Sequence, residues 1–148
     1  MVSMKLILVL MSTALAAPAF AQDAGTSYGM PPAQNSAWLF ELKSVNKKQQ
    51  LALIQERFFR QKTFDKSDEE DVPLLIIDGI PVDEQLDTRM RDFLAFQLTA
   101  DAVEIGVLGK APDGLYINKA WTGLIALNIT DKKTRRRMNK WKDSHEER

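Results

Sequence analysis

The sequence predicts an α+β domain, a small mixed sheet with helices packed against it, behind a cleaved signal peptide. Three observations carry this reading. Apolar residues recur at three- and four-residue steps over 47–61 and 84–98, and these stretches alternate with short runs rich in branched residues at 72–77, 102–108 and 124–130. That alternation sets helices onto a sheet. The run Val72 to Ile77 is continuously apolar apart from Pro73 and ends at Asp78-Gly79, as a strand buried on both faces does. The chain has no cysteine, so a single hydrophobic core has to supply its stability, and about 127 residues after the leader suffice for one.

The first element is the leader. Lys5 precedes the apolar run Leu6 to Leu10, which continues through Met11, Ala14 and Leu15 into Ala16, Ala17, Pro18, Ala19, Phe20 and Ala21. Ala19 and Ala21 place small side chains three and one before a cut after residue 21. The run is shorter than the roughly 20 residues that span a bilayer. The expectation is export, with residues 1–21 removed and the protein periplasmic or secreted. Without a cysteine at the cut no lipid anchor forms there. Disulfides, thiolate metal sites and cysteine nucleophiles are excluded as well. Residues 22–36 are rich in Gly, Pro, Ser, Asn and Gln and read as a flexible leader to the domain proper at 37–131.

Within the domain, Ala37 to Lys43 sets Trp38, Phe40 and Leu42 at period two, which fits a strand or the start of the next helix. Asn46 is placed to cap a helix over Lys47 to Gln61, with Leu51, Ile54, Phe58 and Phe59 along its apolar stripe. Lys62 to Asp71 is polar and acidic and reads as a loop. Asp83 is placed to cap a second helix, Glu84 to about Leu98, whose inner face takes Leu86, Met90, Phe93, Leu94 and Gln97. Ala102 to Leu108 alternates Val103, Ile105 and Val107 against Glu104 and Gly106, as a half-exposed strand does. A long connection, 109–122, leads to Gly123 and a strand over Leu124 to Thr130.

Charge is unevenly placed. From 22 to 131 the chain carries 11 basic and 17 acidic residues, and from 132 to 148 it carries 8 and 3. The tail 132–148 is therefore basic and polar, and Met138 and Trp141, three apart, are compatible with a helix. Its cluster Arg135, Arg136 and Arg137, with Trp141, is a candidate contact for an anionic lipid surface or an acidic protein face. Nucleic acid is not expected as a partner outside the cytoplasm. Tyr116 and Trp121, in the connection 109–122, are candidate anchors for a protein partner.

No catalytic constellation is legible. Asp78 suits a turn and Asp83 a helix cap. The spacing of these carboxylates with Asp87 and Glu104 matches no calcium loop. His145 is the only histidine and sits in the polar tail. No Gly-x-Ser-x-Gly elbow and no glycine-rich phosphate loop is present. The expectation is a protein that is not an enzyme and binds no cofactor or metal.

Three blocks between Val72 and Lys133 carry a family likeness. Pro73-Leu74-Leu75-Ile76-Ile77-Asp78-Gly79-Ile80-Pro81-Val82 comes first. Leu98 to Leu108, with Asp101 leading into Val103-Glu104-Ile105-Gly106-Val107-Leu108, comes second. Leu115-Tyr116 through Gly123-Leu124-Ile125-Ala126-Leu127-Asn128-Ile129-Thr130 comes third. In order and spacing they resemble the second half of the plug domain of TonB-dependent outer-membrane receptors, especially the SusC/RagA type. Ile117 and Ala120 stand where the family has glycines, Trp121 adds bulk where it is usually small, and no stretch alternates like barrel strands. The resemblance implies a plug-like fold without the barrel, in the envelope of a Gram-negative bacterium of the Bacteroidetes type. It implies a non-enzymatic interaction module whose partner is another envelope protein, an outer-membrane barrel among the candidates. The alternative is a small secreted enzyme or ligand-binding protein with a site not readable from the sequence, a reading that a deep pocket lined by Asp78, Glu104 and Tyr116 would favour.

Overall fold

The structure, a computed structural model, describes residues 26–82, 88–109 and 122–146. In chain order it contains α1 (Pro32–Ser44), α2 (Lys47–Ile54) continued by a π-helical turn (Gln55–Phe59), β1 (Leu74–Ile77), β2 (Ile80–Val82), α3 (Thr88–Phe96), a 3₁₀ turn (Ala100–Ala102), β3 (Val103–Leu108), β4 (Leu124–Ile129) and α4 (Lys132–Glu146). The strands form one sheet in the order β2-β1-β4-β3. The outer pairs are antiparallel and the central pair, β1 with β4, is parallel. The fold is thus α+β with a small mixed sheet, the class read from the sequence. The signal peptide, 1–21, lies outside the described residues.

The first correction concerns residues 26–43; residues 22–25 of the expected flexible leader lie outside the described residues. Ala37 to Lys43 is helical, and α1 begins five residues earlier, inside the stretch read as a flexible leader. Pro31 and Pro32 explain the start, because proline has φ preset for the first helical turn and no N–H to leave unpaired there. Trp38, Leu39 and Leu42 face inward at helical spacing, while Phe40, grouped with them by period two, points outward and is 75 % exposed. The segment before α1 is docked too. Met30 and Asp71 exchange two backbone hydrogen bonds, Met30 N to Asp71 O at 3.1 Å and Asp71 N to Met30 O at 2.6 Å. The Tyr28 ring meets Phe58 and Phe64 edge-on. Two apolar side chains in a polar stretch help to seat it.

The capping role of Asn46 holds. Its side chain accepts from Gln49 N at 3.0 Å, and Gln49 Oε1 accepts from Asn46 N in return, a full capping box. The π turn at the end of α2 adds one residue to the helical repeat. It thereby brings Gln55, Arg57, Phe58 and Phe59 all into the interior. Asp78 (φ +49°) and Gly79 (φ +80°) form a two-residue turn with both centres left-handed, the arrangement that joins tight hairpins. It pairs β1 with β2, so among the described residues Ile80-Pro81-Val82 is an edge strand.

In α3 the buried residues are Met90, Leu94 and Ala95. Gln97, expected on the inner face, lies beyond the helix end and is exposed, because the chain leaves the helix through Leu98 N and Gln97 N, both bonded to Phe93 O. Asp83 and Leu86 lie outside the described residues. The alternation read over 102–108 is present in β3. One core joins the three helices to the sheet. It contains Leu39 and Leu42 from α1, Leu51 and Ile54 from α2, Phe58 and Phe59 from the π turn, Leu94 from α3, and Leu75, Ile77, Val103, Ile125, Leu127 and Ile129 from the strands.

Candidate interaction surfaces

β3 has β4 along one side, and among the described residues no strand lies along the other. The bond from Thr130 N to Ala102 O (2.8 Å) sets the phase of the antiparallel ladder. Glu104, Gly106 and Leu108 therefore exchange bonds with Asn128, Ala126 and Leu124, and the N–H and C=O groups of Val103, Ile105 and Val107 point away from β4, those of Ile105 and Val107 to the open edge and those of the fully buried Val103 into the protein. Ile105 and Val107 are only half-buried, and Leu108 is 47 % exposed. Lys47 Nζ approaches Glu104 Oε1 at 3.5 Å. Lys47 comes from the helical layer and Glu104 from the opposite face of the sheet, so the pair reaches across the edge. A lysine there is a common guard on unpaired strands. Both groups are well exposed, and such a pair contributes about 0–1 kcal/mol, so displacing it costs little.

α4 starts at a strong cap. Asp131 Oδ2 accepts from Thr134 N at 2.7 Å and Thr134 Oγ1 at 2.6 Å, and these bonds hold the Asp131 carboxyl below the ordinary carboxylate range, the Thr134 side-chain bond foremost. The folded value lies below the unfolded one. The contribution to α4 is therefore complete above the ordinary carboxylate pKa and is lost as pH falls through the lowered one. Circular dichroism should show Asp131→Ala reducing helicity at neutral pH, and the wild type losing the same increment on acidification while the variant does not.

Arg135 is tied down: its guanidinium lies 3.9 Å from Asp78 Oδ2 and donates to Ile129 O. Asp78 Oδ1 in turn accepts from Ile129 N at 2.8 Å, extending the β1–β4 ladder by a side chain. Arg136 and Arg137 are exposed. Of the residues singled out in the sequence, Arg135 is a structural tether and Arg136 and Arg137 are free of ion pairs among the described residues. Trp141 falls within α4, its side chain outside the described placement. Tyr116 and Trp121 lie outside the described residues.

Asp78 and Glu104, the carboxylates of the alternative reading, are engaged by different partners, Asp78 by Ile129 and Arg135 and Glu104 by Lys47. Among the described residues no group of three or more His, Cys, Asp or Glu side chains is placed to hold a metal ion.

The sequence reading missed Arg57. It is fully buried in the π turn, with Nε donating to Tyr28 O at 3.0 Å and Nη2 to Asp71 O at 3.1 Å. Its guanidinium carbon lies 4.5 Å from the Trp38 ring centroid and 5.8 Å from that of Phe58. Burial pulls its pKa down to about 10, with Tyr28 and Asp71 acting in the opposite direction, so it is charged at neutral pH. An arginine between Glu56 and Phe58 on an amphipathic helix gives no sequence signal that separates this use from a solvated one. Comparison with protein-family models, with curated proteins and with solved structures returned no match.

Proposed function

We propose that the protein is an exported, non-enzymatic interaction module of the bacterial cell envelope, and that it takes an extended segment of another envelope protein along the open edge of β3. The observation that carries this is the edge itself. Ile105 and Val107, alternate residues of β3, carry backbone groups that point away from β4 and have no partner among the described residues, beside half-buried apolar side chains, while Val103 at the start of the strand is fully buried. An added strand gains backbone hydrogen bonds from such an edge and specificity from alternate side chains. The compartment rests on the leader sequence, and the plug-like reading, with its Bacteroidetes-type receptor relatives, rests on the three blocks between Val72 and Lys133. An outer-membrane barrel remains within the class of partners proposed.

The test is a pull-down of envelope proteins from detergent extract by tagged mature protein, residues 22–148, read by mass spectrometry, alongside Val107→Pro. The Val107 N–H is not used in the β3–β4 ladder, so proline there removes an outward donor while leaving the sheet bonds in place. Enrichment of one envelope protein by the wild type, reduced about tenfold or more by Val107→Pro, is expected if each lost bond is worth about 1 kcal/mol and the edge is also obstructed. Equal enrichment by both proteins removes the edge from the account. No enrichment with folded bait moves the weight to the ligand-binding alternative.

A further inference from the structure

We infer that α4 seats the domain on an anionic lipid surface, with Lys132, Lys133, Arg136, Arg137 and Lys140 against the phosphate headgroups and the acidic end of the molecule turned away. This rests on the envelope location proposed above, and not on the β3 partner.

Residues 132–140 contain six cations and no acidic residue. At 100° per residue, Thr134, Arg135 and Met138 share one side of α4. That side is the docked one, since Thr134 and Met138 are half-buried, Met138 packs against the core and Arg135 is tethered. The five remaining cations fall on the other arc, all are exposed, and none makes an ion pair among the described residues. The stripe runs about 12 Å along the helix. It also occupies the first turns of α4, where positive charge opposes the helix dipole. An anionic surface relieves both repulsions together.

The rest of the molecule fixes the orientation. Asp65, Asp68, Glu69, Glu70 and Asp71 lie in the loop that leads into β1. α4 follows the far end of β4, which runs parallel to β1. The acidic loop and the start of α4 therefore lie at opposite ends of the central strand pair. Asp78 and Asp131 at the α4 end are engaged by Arg135 and by the helix cap, so the acidic loop is the part that an anionic surface turns away. A bilayer is the occupant that fits, because the cations line the convex outer side of a helix. A flat, laterally mobile array of charges meets such a stripe without needing a matched pocket.

The experiment is co-sedimentation of the mature protein with vesicles of phosphatidylcholine alone or with about 30 % phosphatidylglycerol, at about 50 mM and about 500 mM salt. Binding is expected only to the anionic vesicles and only at the lower salt. Each cation at the surface is worth about a fivefold change in partitioning, so Lys133→Gln/Arg136→Gln/Lys140→Gln should weaken binding by about a hundredfold, and circular dichroism should show α4 retained. Asp68→Asn/Glu69→Gln, at the other pole, should leave binding unchanged or raise it slightly. Three results overturn the inference: no binding to anionic vesicles at low salt, binding insensitive to the triple substitution, or sedimentation without vesicles that both sets of substitutions abolish, which would show the two poles of neighbouring copies pairing instead. Loss of vesicle binding with the Val107-dependent pull-down intact would refute the lipid contact alone, and the converse would refute the strand partner alone.

Discussion

Arg57→Ala is expected to destabilise the domain by about 3–5 kcal/mol, the range for removing one partner from a buried charged network. Several losses act together. Tyr28 O loses its donor at 3.0 Å, and Asp71 O loses one of two, keeping Met30 N. Losing a donor at a partly buried acceptor costs up to about 1–3 kcal/mol. The space beside the paired Trp38 and Phe58 rings empties, together with the cation–π contacts to both. Thr26–Met30 and the end of the acidic loop are then held chiefly by the Met30–Asp71 bridge and the Tyr28 ring contacts. Urea unfolding followed by tryptophan fluorescence should show a large fall in midpoint, with Trp38 beside the altered site as one of the reporters.

Arg57→Lys separates geometry from charge. It keeps the positive charge and most of the stem, but a single ammonium cannot reproduce a planar fork directed at two carbonyls and stacked on an indole. It should recover only a minor part of the loss. Near-complete recovery would mean that the site needs a cation and not a guanidinium. The lowered pKa of Arg57 points the same way. The fold disfavours charging this group by desolvation, so the bonds and rings around it have to offset that cost at every pH below about 10.

What the sequence made legible, and what it hid, follows from how local the controlling interactions are. The cap at Asn46, the Asp78-Gly79 turn, the β1 run and the alternation of β3 depend on neighbours within a few residues, and each is where the pattern placed it. α1 was ambiguous because AWLFELK satisfies period two and a helical face at once. The choice falls to the helix because Trp38, Leu39 and Leu42 all have core to bury against, which no local pattern reports. The docking of Tyr28 and Met30 depends on partners some thirty to forty residues away. The basic tail was visible as composition, but its division into a tethered Arg135 and an outward stripe exists only once Asp78 and the end of β4 are in place.

Gly123→Ala should be the second severe change, with a loss of about 2–4 kcal/mol. Gly123 has φ +136°, a conformation closed to side chains with a Cβ. A Cβ there would also stand 2.7 Å from Leu39 Cδ1 and 3.3 Å from Leu108 O. Rotation of Leu39 relieves the first contact at the expense of core packing, and the second is to backbone. The position is a junction. Gly123 O accepts from Leu74 N at 2.9 Å, which begins the parallel ladder, and the preceding Thr122 receives both Asn35 Nδ2 bonds at 3.1 Å, which fix α1 over the sheet. Strain at residue 123 is therefore felt by α1, β1, β3 and β4 at once. Gly106→Ala supplies the contrast. Its φ is not in the left-handed region, the nearest atom to an added Cβ is Ala126 Cβ at 3.9 Å, and glycine in a strand interior is itself unfavourable. That change should be neutral within about 0.5 kcal/mol or mildly stabilising. Equal effects at the two positions would mean that the α1–β4 junction relaxes freely, and the tightness ascribed to it would be wrong. A large difference in unfolding midpoint would place the stability of the sheet at its junction with α1, leaving the β3 edge free to accept a partner strand without weakening the fold.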